Sequence, residues 1–207
     1  MKYPAKRFKS PTIALKEIEQ YVRHGKHLLS GSPFGNFGDM RSREILANWL
    51  ICAAFNAHSQ AERLTFASVD DPIGGDGVLI DTETDETWPT EHVVALGAPG
   101  DTGEIEPRVL AAVAQKIAKG GAAYATGKTL VVFVEKGEGR VWFANKAARA
   151  LPRPLHFGAV WVVGLHSAEA GEYTYNVTQM DEEAGTAHVW RVRIAADFDR
   201  WTVERVQ

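Results

Sequence analysis

Cysteine is nearly absent. Cys52 is the only one in 207 residues, which excludes an intrachain disulfide and a cysteine-rich zinc site. It lies in an apolar helical pattern, where a buried structural thiol is expected rather than a nucleophile. Long apolar runs are missing as well. None reaches the roughly 20 residues that cross a bilayer, and the opening MKYPAKRFKSPT lacks the apolar stretch of a signal peptide. The expectation is a soluble, cytoplasmic protein with no membrane partner. Nor is there an excess of positive charge. Lys and Arg number 23 against 26 Asp and Glu, a formal net charge of −3, so no global field draws the chain to nucleic acid or anionic lipid. The early cluster of Lys2, Lys6, Arg7, Lys9, Lys16, Arg23 and Lys26 reads as the solvated side of an amphipathic start, ahead of a phosphate-binding arm.

Three familiar signatures also fail. The histidines form no His-Glu-x-x-His pattern, and Ser30 and Ser32 lack the surroundings of a nucleophile elbow. GAAYATGKT (121–129) looks like the end of a phosphate-binding loop, but Ala122 stands where that loop needs glycine. The segment also leads from a helix into a strand, the wrong order for that motif.

What is present is a globular composition, 45% apolar with six Trp, long enough for one domain with a sizeable core. A helix starts at Ser10-Pro11-Thr12 and repeats Ala14, Leu15, Ile18, Tyr21 and Val22 at helical spacing. The glycine-rich SGSPFGNFGDMRSRE (30–44) reads as a connector, or less favourably as the lid of a small-molecule enzyme. From Arg43 to His58 a second helix sets Ile45, Leu46, Trp49, Leu50, Ala53 and Ala54 on one face, with Glu44 and Asn48 stacked beside it. A strand at 64–69, a hairpin over 77–96, a helix after Gly103, a buried strand at 129–135 and a short helix in WFANKAARAL follow. The tail alternates like antiparallel β structure. Its Trp161, Trp190 and Trp201, like Trp142, suit core packing more than base stacking. The fold class is α/β, with α+β as the alternative. One domain is expected in three parts: a helix and glycine-rich loop (1–40), a core (41–135) and a β-rich extension (136–207).

The chemistry concentrates in GGDGVLIDTETDETWPTEHVVAL (74–96). Glu83, Asp85 and Glu86 belong to its turn. If six residues join the strands, Asp81 faces Trp88 and Asp76 faces Val93. Asp76 and Glu91 are then diagonal neighbours on one face, about 7–8 Å apart at the backbone, within reach of one hydrated Mg²⁺. His92 points to the other face. Equally, Asp76 suits a turn in GGDG, and Glu91 suits the solvated side of an edge strand.

With this order of elements and acids, residues 41–135 resemble the PD-(D/E)XK nuclease superfamily. Asp76 matches its Asp, Glu91 the Glu of its Glu-x-Lys, and Glu44 the acid that many members carry on the preceding helix. The resemblance implies a restriction-endonuclease-like core, a central mixed β-sheet flanked by helices, here with an antiparallel β C-terminal extension. It implies metal-dependent hydrolysis of DNA, with Asp76, Glu91 and Glu44 around Mg²⁺ or Mn²⁺. Arg41, Arg43, Asn48 and Lys119 are its expected nucleic-acid contacts. Val93 departs from the pattern, because the family lysine belongs there. Some members supply that function from the following helix, where this chain has Gln115 and Lys116. The departure supports an alternative: an inactive member of the same fold that binds nucleic acid or protein, a second copy included.

Overall fold

The computed structural model describes residues 5–25, 37–38, 40–69, 76–97, 103–135, 137, 139–140 and 142–207, the side chains of 5–8 and 69 excepted. Most of the glycine-rich segment, and with it the expected lid, lies outside the described residues.

Helix α1 spans Pro11–Arg23. The Ser10 hydroxyl accepts a hydrogen bond from Ile13 N at 3.4 Å, and Pro11 occupies the first turn. Its buried stripe is the expected one, Ala14, Leu15, Ile18, Tyr21 and Val22. Helix α2, Ser42–Ser59, buries more than the single face read from its pattern: Ala47, Ile51 and Cys52 are fully buried too. The reason is its position, with α1 packed on one side and strands β2 and β5–β9 on the other.

Nine strands form one sheet in chain order. They are β1 (Ala5–Lys9), β2 (Leu64–Val69), β3 (Val78–Asp81), β4 (Glu86–Ala95), β5 (Thr129–Val134), β6 (Ala159–Glu169), β7 (Glu172–Asp181), β8 (Thr186–Ile194) and β9 (Trp201–Arg205). Only β4–β5 and β5–β6 are parallel; the other neighbours are antiparallel. Parallel pairing needs a crossover. Helices α3 (Ile105–Ala118) and α4 (Gly121–Ala125) make the first, and α5 (Ala144–Arg149) makes the second. Strands β6–β9, expected as an extension, continue the same sheet. Strand β1 departs from the sequence pattern, because its Lys6, Arg7 and Lys9 read as solvated charge.

Side-chain alternation then sorts the core. Val131, Phe133, Trp161 and Val163 join α1 and α2 on one face of the sheet. Leu130, Val132, Val160 and Val162 join α3 and α5 on the other. Strand β5 is buried along its whole length, as expected for a strand covered on both faces. The chain is thus mixed α/β, a mixed sheet flanked by helices. No helix among the described residues is long and apolar enough to cross a membrane.

Candidate functional site

The hairpin pairs Asp81 with Glu86 and Leu79 with Trp88, so the connection is 82–85 and the register is two residues tighter than the sequence suggested. Asp81 is the cause. Its Oδ1 accepts from the backbone N–H of Glu83 at 3.0 Å and of Thr84 at 3.4 Å, and Asp85 takes the left-handed conformation at φ 57°. Arg63 donates to the Asp81 carboxylate and holds its pKa below the usual range. A shift of two leaves the side chains of the paired residues 78–81 and 86–89 on their expected faces.

At the open end the ladder is irregular. Asp76 N donates to Thr90 O at 3.0 Å, while Thr90 N donates to Gly77 O at 2.9 Å. Two residues thus face one, the arrangement of a β-bulge, which re-aims a side chain. The Asp76 Oδ2 accepts from the His92 backbone N–H at 2.7 Å. Gly77 has φ +128°, and a Cβ there would stand 2.8 Å from Asn48 Nδ2 and 2.9 Å from Met40 Sδ. Only glycine fits.

On the α2 side, His92 Nε2 meets Asn48 Oδ1 at 3.1 Å. Burial, then the charge of Arg43, lower the His92 pKa to about 3, so the ring is neutral at physiological pH. Asn48 Nδ2 also donates to Asp76 O at 3.5 Å. Asn48 is fully buried. It therefore ties α2 to the hairpin and lies off the surface where a nucleic-acid contact was expected. Glu44, 2% exposed, reaches back to Arg41 N at 2.8 Å with Oε2, the Glu half of a capping box. Arg41 Nη1 stands 3.2 Å and Arg43 Nη2 4.0 Å from its Oε1.

Burial raises the Glu44 carboxyl to about 7, helped by the charge of Asp76 and opposed by the bond from Arg41 N and by Arg41 and Arg43. A carboxyl that ionises less readily when folded stabilises the fold in its protonated form. That contribution is complete below about 4.5 and is lost as pH rises through about 7. Glu44→Gln keeps an acceptor for the Arg41 N–H without the charge. At pH 8 it is expected to exceed the wild type in stability by a few kcal/mol, since each tenfold change in acidity is worth about 1.4 kcal/mol. The advantage should vanish by pH 5. His92, whose contribution is present above 6.5 and lost as pH falls through about 3, titrates in both proteins and cancels from the comparison. Parallel stability–pH curves from thermal melts would contradict this reading of Glu44.

On the α3 side, Glu91 is 4% exposed and surrounded by lysines. Lys116 from α3 donates to its Oε1. Lys119 Nζ is 4.0 Å from the same oxygen, and Lys128 Nζ is 3.9 Å from Oε2. The Tyr124 ring lies under Lys119 and Lys128 at 4.8 and 4.5 Å. Its phenol pKa is raised, first by burial, then by a hydrogen bond to Glu91, and further by the charges of Glu91 and Asp76. Tyr124 therefore senses both carboxylates. Val93 packs into the α3-side core, and the cation at Glu91 comes from α3. Gln115 is exposed.

The sequence missed Tyr124 and Lys128. Both belong to the segment that fails as a phosphate loop, and its Gly-Lys was the only signal. The three acids do not form one cluster: among the described residues, no group of three or more His, Cys, Asp or Glu could hold a metal ion. Asp76 and Glu91 are nonetheless hard oxygen donors, the kind that Mg²⁺ accepts in ones and twos while keeping water and substrate phosphate. In this structure Asp76 Oδ2 is taken by the His92 N–H and Glu91 Oε1 by Lys116, while Glu44 caps α2. The chain matches no protein-family model, curated protein or solved structure.

Proposed function

We propose that the protein is a nuclease-like member of the PD-(D/E)XK superfamily that binds the DNA backbone at Asp76 and Glu91 and hydrolyses it with Mg²⁺ or Mn²⁺. The observation that carries this reading is the Lys116–Glu91 contact. It supplies from α3 the cation that Val93 omits from the strand. Local charge agrees. Although the chain is acidic, Arg41, Arg43, Lys116, Lys119 and Lys128 outnumber Glu44, Asp76 and Glu91 here, which suits a polyanion. The order α2, β2–β4, α3, β5 also follows the family core.

In this reading Asp76 and Glu91 would hold the ion, which would orient the phosphate and lower the pKa of a bound water. Lys116 fixes Glu91 and faces the charge that develops on the phosphate. Glu44, titrating near neutrality beside Asp76, is the proton acceptor. The neutral His92 positions Asp76 through its backbone N–H.

A second reading, DNA binding without cleavage, is favoured by the three ammonium groups already around Glu91. Magnesium is expected to raise the unfolding temperature of the wild type but not of Asp76→Ala, and Glu91→Gln is expected to abolish cleavage. DNA binding without cleavage in either metal supports the second reading. Absence of a thermal shift, of cleavage and of DNA binding overturns both.

A further inference from the structure

A cavity of about 390 Å³ opens between α2 and the starts of β5 and β6. That volume lies in the range of small-molecule sites. Its aromatic walls are Phe55 of α2, Trp88 of β4 and Trp161 of β6. The Trp161 ring is backed by Trp190, stacked with centroids 5.8 Å apart, and Phe55 and Trp88 are tilted 6.5 Å apart. Rings braced in this way present stacking surfaces at little conformational cost.

No charged group faces the cavity. Lys128 is the one ionisable residue along its lining, and the Lys128 ammonium is held on the opposite, α3 face of the sheet, 4.5 Å from the Tyr124 ring centre and 3.9 Å from Glu91 Oε2. Two uncharged polar side chains remain in the lining, Thr129 and Gln179. Thr129 stands two residues before Val131 and Gln179 two after Val177, so strand alternation puts both on the α2 face. Gln179 lies directly opposite Trp161 in the β6–β7 ladder. Thr129 is 7% exposed. Among the described residues neither the Thr129 hydroxyl nor the Gln179 amide makes a hydrogen bond. Each can donate and accept, so both are free to meet an occupant.

The lining selects a class of ligand. An ion would give up its water for a wall that returns no counter-charge. A wholly apolar molecule would cover the Thr129 hydroxyl and the Gln179 amide without satisfying either. We infer that the cavity binds an uncharged, flat aromatic small molecule with one polar edge that both donates and accepts. Its ring lies among Phe55, Trp88 and Trp161, and its edge meets Gln179 and Thr129. This site is separate from Glu91 and its lysines, which occupy the α3 face, and it stands whether or not the protein acts on DNA.

The test is made in EDTA and without nucleic acid, so that neither metal nor cleavage enters. Isothermal titration calorimetry compares 2-quinolone, a neutral bicycle with a lactam edge, with 2-naphthoate, a bicycle of similar size that carries a carboxylate. The wild type is expected to bind 2-quinolone one to one, at least about tenfold more tightly than 2-naphthoate, because the buried charge has no partner. Gly158 lines the cavity. Its φ lies outside the left-handed range, and an added Cβ meets only Lys128 O at 3.7 Å. Gly158→Phe therefore places a ring in the opening and is expected to abolish 2-quinolone binding. Gln179→Leu keeps the apolar contact without the amide and is expected to weaken 2-quinolone about tenfold while leaving 2-naphthoate unchanged. Half-buried Gln179 keeps the comparison decisive if Gly158→Phe does not fold. Absence of 2-quinolone binding by the wild type, equal affinity for 2-naphthoate, or undiminished 2-quinolone binding by either folded variant overturns the assignment.

Discussion

Lys116→Met is expected to lower the unfolding free energy by about 3 kcal/mol, the lower end of the range for removing one partner of a buried ion pair. The pair is well enclosed, with the Lys116 and Glu91 side chains 14% and 6% exposed. Methionine keeps the unbranched stem and removes the charge, so the loss reports electrostatics more than packing. Lys119 and Lys128, at 4.0 and 3.9 Å from Glu91, retain part of the compensation, which holds the effect at that lower end. Two controls make the assignment specific. Adding Glu91→Gln to Lys116→Met should restore part of the stability, since no carboxylate then lacks Lys116, although the enclosed Lys128 loses its own partner. Magnesium should stabilise Lys116→Met more than the wild type, because the ion takes over neutralisation of Glu91. Chemical denaturation with and without Mg²⁺ reads all three quantities, and an unchanged midpoint in Lys116→Met would remove the ion pair from the account.

Gly77→Ala is the second large effect. The new methyl group would stand 2.8 Å from Asn48 Nδ2 and 2.9 Å from Met40 Sδ. The backbone is also held at φ +128°, a conformation that L side chains avoid. Strain of this kind costs about 1–3 kcal/mol, and overpacking costs about 1–3 kcal/mol more. A total near ~4 kcal/mol is expected in thermal or chemical unfolding. The damage is also local to the site, because relief of the clash moves Asn48 off His92 or opens the bulge that aims Asp76. Magnesium stabilisation should therefore be lost even at temperatures where Gly77→Ala remains folded. A variant with wild-type stability and an intact magnesium response would show that the bulge tolerates a side chain.

Much of this architecture is legible in the sequence, and the failures have physical causes. The stripes of α1 and α2 and the apolar TLVVFV of β5 declare themselves by period and run length. The hairpin register does not, because the turn length depends on Asp81 capping two backbone N–H groups, a local bond that hydrophobic alternation does not encode. Since the error is two residues, Glu91 keeps the face assigned to it, whereas Asp76 is re-aimed by the bulge, which no alternation pattern encodes. Strand β1 hides because an edge strand with Lys6, Arg7 and Lys9 looks like any solvated charge run. The cations around Glu91 are the hardest to foresee. Lys116 is one of several exposed-looking residues on α3 until the crossover fixes which edge of that helix meets β4. Lys128 precedes β5 and reaches Glu91 only because β5 lies parallel to β4 with Glu91 opposite Leu130.

The sequential order of the strands carries a kinetic consequence. Asp76 and Glu91 stand on the two arms of one hairpin closed by the short turn at 82–85, the kind of unit that forms in about 1–10 μs. Their cations arrive from farther along the chain, through a parallel crossover whose loop-closure entropy must first be overcome. The expected order of assembly is therefore carboxylates first and lysines second. In between, the nascent hairpin carries two acids with no counter-charge, and it is in that interval that divalent cations in the surrounding solution would bear most strongly on the rate of folding.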